Sequence, residues 1–199
     1  MNRKIWWGAG IILGIGLVYL IYSWTNAKVG YHGTLIDPPS PTEDFTVQSD
    51  RGDVHLSDFR GKVVLLYFGY TFCPDACPIT LSKISQVYKN LGDDADQVQT
   101  LFISVDPERD TPQVLGTYAR AFDPRFVGAT STPEAIAVIA KQFGIFYQKR
   151  PVNSAAGYLV DHTSVVWVID QRGNLRLEWP YDFDTSFMVS DLKALLKQS

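Results

Sequence analysis

Cys73 and Cys77 are the only cysteines in the chain, four residues apart in Phe72-Cys73-Pro74-Asp75-Ala76-Cys77-Pro78. Thiolate is the form that binds soft metals or attacks disulfides. A turn bearing two thiols straight after an apolar run, here Val63 to Phe68, suits either chemistry. Pro78 is tolerated only in a first helical turn, so a helix begins near Pro74–Pro78 and both sulfurs lie in its opening turn. Free amides and the positive end of the helix dipole favour thiolate there. At least one of the two thiols is therefore expected below its ordinary pKa.

Spacing tilts the choice. Residues i and i+4 on a helix have Cβ atoms about 5–6 Å apart, whereas a disulfide wants about 3.5–4.5 Å. Two metal bonds near 2.3 Å span the wider gap, and dithiol oxidoreductases use the tighter C-x-x-C. A metal site is favoured. A disulfide is not forbidden, because two prolines make the turn irregular. A structural bridge across so short a loop would stabilise little.

Two thiolates do not complete a metal site. The chain has three histidines. His32 and His55 read as solvated surface. His162, in Tyr158-Leu159-Val160-Asp161-His162-Thr163, precedes a buried strand and reaches the cysteine turn if the two strands are close. Asp161 either orients that ring or serves as a cap or surface residue. Two sulfurs and an imidazole suit copper. Zinc competes, although structural zinc usually has four protein ligands. Three candidates with an open position fit transfer better than scaffolding.

The elements that must position these residues follow from pattern. Phe45 to Leu56 reads as a hairpin around Asp50-Arg51-Gly52-Asp53. Val63–Phe68 is apolar at nearly every position, as a strand covered on both faces would be. Leu81, Ile84, Val87, Tyr88 and Leu91 give Ile79–Leu91 a helical stripe. Thr100–Val105 and Ser164–Ile169 read as further strands, and Leu175–Trp179 as the partner of the latter across Gln171-Arg172-Gly173-Asn174. Thr111-Pro112 and Thr132-Pro133 open helices running to about Phe122 and Phe143, and Thr185–Lys197 closes the chain as a helix. The order β-α-β-α-α-β-β-α after a hairpin implies an α/β fold: a mixed, largely parallel central sheet flanked by helices. Ligand chemistry in such sheets collects at the carboxyl ends of strands, where the cysteine turn lies.

The first residues assign the compartment. Ile5–Trp24 carries no charge, and about 20 apolar residues cross a bilayer. Trp6 and Trp7 at one end, Tyr22 and Trp24 at the other, form interfacial belts. Arg3 and Lys4 put the N-terminus inside. A cleaved signal peptide is the alternative, but the stretch is long for one and no A-x-A site follows. The expected organisation is a cytoplasmic segment 1–4, a transmembrane helix 5–24, a Pro-rich tether 25–42 and one domain over 43–199. That domain lies on the outer side of a bacterial-type cytoplasmic membrane. A net charge of −3 without a Lys/Arg run argues against a nucleic-acid partner.

Cys73-Pro74-Asp75-Ala76-Cys77-Pro78 after a strand, Ser104-Val105-Asp106-Pro107-Glu108-Arg109-Asp110-Thr111-Pro112, and Asp161-His162-Thr163 together resemble the SCO/SenC family. C-x-x-x-C alone is weak; the joint pattern is specific. The resemblance spans the whole expected domain and the single N-terminal anchor. It implies a thioredoxin-like fold and copper, as Cu(I) or Cu(II), on Cys73, Cys77 and His162. It also implies delivery to the binuclear centre of cytochrome c oxidase subunit II, with other copper chaperones as further partners. The 106–112 loop is read as a strand exit and helix cap without a ligand role. The competing function is a thiol–disulfide reductase using Cys73 and Cys77. Against it, such enzymes place a cis-proline before the strand facing the active site, and Val160–Ser164 has none. A peroxidase would need Thr/Ser-x-x-Cys, which Tyr70-Thr71-Phe72-Cys73 does not supply.

Overall fold

The computed structural model describes Gly16 and residues 30–153 and 157–198. Except for Gly16, the expected transmembrane stretch 5–24 lies outside the described residues; among them, no helix is long and apolar enough to cross a membrane.

The elements in chain order are strands β1 (Thr34–Pro41), β2 (Thr46–Ser49), β3 (Gly52–His55) and β4 (Val63–Gly69), helix α1 (Ala76–Leu91), β5 (Val98–Ser104), α2 (Pro112–Arg120), β6 (Val127–Thr130), α3 (Pro133–Gln142), β7 (Tyr147–Pro151), β8 (Tyr158–His162), β9 (Val165–Ile169), β10 (Asn174–Pro180) and α4 (Thr185–Leu196). One mixed sheet runs β1-β10-β9-β4-β5-β6-β2-β3, while β7 and β8 form a separate two-stranded sheet. β4, β5 and β6 are parallel, and β9 runs antiparallel to β4. Helices flank this sheet, so the α/β expectation of a mixed sheet and the β2–β3 hairpin hold, but the sheet is not largely parallel: β4–β5 and β5–β6 are the parallel pairings, and the hairpins and edge strands on either side pair antiparallel.

The centre of the sheet follows from its sequence. Every residue of Val63–Gly69 and Val98–Ser104 is buried, consistent with side chains covered on both faces. Each fully buried Leu, Val or Phe contributes about 1.5–3 kcal/mol. α1 turns Leu81, Ile84, Val87, Tyr88 and Leu91 inward, the stripe read from the sequence. Thr111 and Thr132 cap α2 and α3, each accepting an amide hydrogen bond at 3.3 Å with a proline at the helix start.

Four strands differ from the sequence reading. Within the stretch read as tether, Thr34–Pro41 pairs with β10. Prolines are tolerated there because β1 is an edge strand, and the ladder skips from Leu35 to Ser40, leaving Pro38 and Pro39 out of register. β6 is only four residues long and includes Gly128, too short for periodicity to show. Polar Gln148-Lys149-Arg150 hides β7, which is exposed over most of its length. Tyr158–His162, read as a loop, is its antiparallel partner.

Candidate metal centre

Cys73 and Cys77 hang from the carboxyl end of β4. Gly69 closes that strand because nothing larger fits: a Cβ there would stand 2.6 Å from Cys77 Sγ and 2.8 Å from Phe102. The chain turns through a hydrogen bond from Cys73 N to Tyr70 O, 3.3 Å. α1 then begins at Ala76, so Cys77 lies in its first turn as Pro78 requires, whereas Cys73, expected in the same turn, sits in the loop before the helix. The Asp75 side chain does not cap the helix. Cys73 Sγ accepts the Cys77 amide instead, at 3.4 Å. Cys77 is fully buried and Cys73 half-buried, and neither is in a disulfide.

This setting splits the two acidities. A hydrogen bond from the Cys77 thiol pulls Cys73 down to about 3, against the cost of partial burial and with help from the His162 side chain and backbone amides. The same bond and its own burial push Cys77 far up. The pair therefore holds one proton at neutral pH, with the negative charge on the more exposed sulfur. Tyr67, whose phenol burial keeps protonated, directs its hydroxyl at Cys77 Sγ from 3.8 Å.

His162 ends β8 and is half-buried. Its Nδ1 lies 3.1 Å from Thr163 O. A carbonyl only accepts, so Nδ1 is the donor there, and Nε2 is the ring nitrogen turned to the sulfurs. Nε2 points at Cys77 Sγ from 3.5 Å. The Tyr70 and Tyr67 rings meet the imidazole edge-on at 5.8 and 6.4 Å. The two sulfurs and a ring nitrogen of His162 all lie within 4.8 Å of one another. Two bonds of about 2.0–2.3 Å span roughly 4 Å, so the separations are of the size a shared ion requires.

The other histidines stay away from the cluster. His55 is exposed and bonds Thr46 Oγ1 at 2.9 Å. His32 is not the purely solvated residue expected. Its Nδ1 sits 3.0 Å from a carboxylate oxygen of buried Asp191, and its ring stacks on Phe187. Asp191 also accepts from the amides of His32 and Gly33 and from Trp179 Nε1, at 2.8–3.0 Å. Asp161 does not orient His162: it pairs with Arg150 at 3.1 Å in solvent.

The 106–110 loop does more than leave a strand and cap a helix. Buried Asp110 accepts hydrogen bonds from the Thr71 amide, Thr71 Oγ1 and Ser104 Oγ, holding the cysteine turn. Buried Asp106 binds the Arg109 guanidinium and the Tyr158 hydroxyl. The sequence reading of 106–112 as a strand exit and helix cap left out these bonds. The available clue was that three acids, Asp106, Glu108 and Asp110, lie within six residues of the end of the strand Val98–Ser104.

The SCO1/SenC family model matches residues 35–197. The bovine "Protein SCO2 homolog, mitochondrial" is 41% identical over 133 residues, 65% of this chain, and the match spans 50% of that protein's length. The solution structure of apo Sco1 from Thermus thermophilus is 44% identical with a TM-score of 0.77, covering 86% of this chain and all of that one. Bradyrhizobium japonicum ScoI, solved with copper bound, is 35% identical with a TM-score of 0.72, covering 79% of this chain and all of that one.

Proposed function

This chain belongs to the SCO1/SenC family, and we propose that it carries copper on Cys73, Cys77 and His162 for delivery to the binuclear centre of cytochrome c oxidase subunit II. The observation that carries the reading is the convergence of two sulfurs and an imidazole nitrogen within 4.8 Å, contributed by residues 85 positions apart. Two soft thiolates and an imidazole fit Cu(I), and Cu(II) with a further, harder donor. Loading is balanced by one proton: the pair enters with a thiolate on Cys73 and a thiol on Cys77, and Cu(I) displaces the remaining proton. Delivery then runs from the open side. An acceptor's ligands reach the ion past half-buried Cys73 and His162, and buried Cys77 lets go last.

The destination, subunit II, follows from the family resemblance, as does exchange with other copper chaperones. The same reading takes 5–24 as a single membrane anchor with its N-terminus in the cytoplasm and the copper domain outside. Oxidising compartments permit disulfides, so a reductant is needed to keep the pair open for metal.

A thiol–disulfide reductase is the second reading, favoured by the low-pKa, half-buried Cys73 beside a second thiol. Cys73 would attack a partner disulfide and Cys77 would resolve it. The partner would leave as a dithiol and this chain as the Cys73–Cys77 disulfide, which cannot hold copper. Metal analysis of the reduced full chain in detergent separates the two. The carrier retains one copper per chain after desalting, and His162→Ala weakens Cu(II) binding at least about tenfold. A reductase turns over a disulfide substrate, and that turnover survives His162→Ala but not loss of either cysteine. Unchanged copper affinity in His162→Ala removes the third ligand from the proposal.

A further inference from the structure

The cysteine turn belongs to the eight-stranded sheet, but His162 belongs to β7–β8, which among the described residues shares no ladder with it. β9 begins at Val165, three residues after His162, and pairs with β4, so the chain brings the imidazole to this side of the sheet; side chains hold the rest of β8 against the cysteine turn. Arg109 stands at that junction. Its guanidinium lies 3.7 Å from the Tyr158 ring centroid on β8 and 4.8 Å from that of Phe72, the neighbour of Cys73. Nη1 donates to Tyr158 O at 3.0 Å, and Nε binds Asp106. Asp106 in turn accepts from the Tyr158 hydroxyl at 2.8 Å. Tyr158, Val160 and His162 alternate along one face of β8, and the Val160 amide donates to Tyr70 Oη at 3.1 Å. The cation thus holds one strand face to the turn carrying the thiols.

We infer that Arg109 is the positioning residue for the third copper ligand: a guanidinium, flat enough to stack between Phe72 and Tyr158, that fixes the reach from His162 to the cysteine pair. The inference deepens the copper-carrier reading and rests on it. A compact ammonium does not replace a planar fork at a stacked, bidentate site, so lysine is not expected to rescue.

The test is a double-mutant cycle on the full chain in detergent micelles, with Cu(II) as probe. Arg109→Ala is expected to raise the Cu(II) Kd about tenfold and to move the sulfur-to-copper charge-transfer bands and nitrogen hyperfine coupling to those of His162→Ala. Arg109→Lys is expected to match Arg109→Ala. The double variant Arg109→Ala/His162→Ala should bind no more weakly than His162→Ala alone. Additive losses, a parent-like spectrum in Arg109→Ala, or full rescue by lysine would overturn the inference. A metal-free readout guards against loss of folding and against failure of the copper reading. In Arg109→Lys, the Val160 amide should exchange at least about tenfold faster and the NMR contact between the His162 and Tyr70 rings should fade. Parent-like exchange and contacts in that variant also overturn it. A parent chain that takes no copper overturns the carrier function, while the metal-free comparison still decides the role of Arg109.

Discussion

The two halves of the donor set are built to different standards. The sulfur half grows from β4, buried at every residue and paired on both sides, and ends in a fully buried Cys77. The imidazole half is carried on a two-stranded sheet exposed over most of β7, beside the half-buried Tyr158 and His162. Backbone ladders fix the first. The second hangs from the sheet by its short link to β9 and is braced by side chains: a stacked guanidinium, a phenol and a carboxylate. Packed interiors resist displacement by fractions of an ångström, whereas surface hairpins open at lower cost. The contrast gives the candidate site one rigid wall and one adjustable wall, which suits the proposed carrier function.

The contrast breaks first, and with the largest effect, at Gly69. Gly69→Ala forces a methyl against Cys77 Sγ and Phe102. Overpacking of this kind costs typically about 1–3 kcal/mol, to be read as a lower urea midpoint, and it should also weaken copper binding because the sulfur must shift. A neutral alanine would mean that the wall yields.

The proton count sharpens the comparison next. With Cys73 held down to about 3, the folded, reduced, metal-free chain should keep its thiolate from pH 8 to pH 5. Iodoacetamide labelling at Cys73 should vary little over that range, while Cys77 stays protected. In urea the ordinary thiol pKa of about 8.5 returns, and the rate should drop about tenfold for each pH unit below it. The same steep drop in the folded chain would refute the shared-proton arrangement.

The smallest effect belongs to the outer face of the hairpin. Asp161→Asn removes the exposed pair with Arg150 but touches neither the ring nor the sulfurs. Stability should change by less than about 1 kcal/mol and copper affinity should stay unchanged. A marked loss of copper would show that Asp161 reaches the imidazole after all.

The same division governs what could be read beforehand. Val63–Phe68 is apolar without a break, and Pro78 admits only a helix start, so the sulfur wall was legible from a few residues. His162 was legible as a residue but not as a strand, because Tyr158–His162 is short and pairs with the polar Gln148-Lys149-Arg150. Pairing partners lie in no local pattern. Arg109 was hidden for a further reason: its partners, Phe72 and Tyr158, come from segments 37 residues before and 49 residues after it in the sequence, and a charged loop ordinarily means solvent. β1 hid behind prolines that only an edge strand accepts.

The knot at Asp191 has a mechanical consequence. The carboxylate on α4 grips the amides of His32 and Gly33 just ahead of β1, and the indole of Trp179 on β10 as well. Tension applied upstream of residue 31 therefore meets this carboxylate before it meets the edge ladder. The load passes into the closing helix and the tenth strand, toward the opposite end of the sheet from the strand pair at residues 46–55.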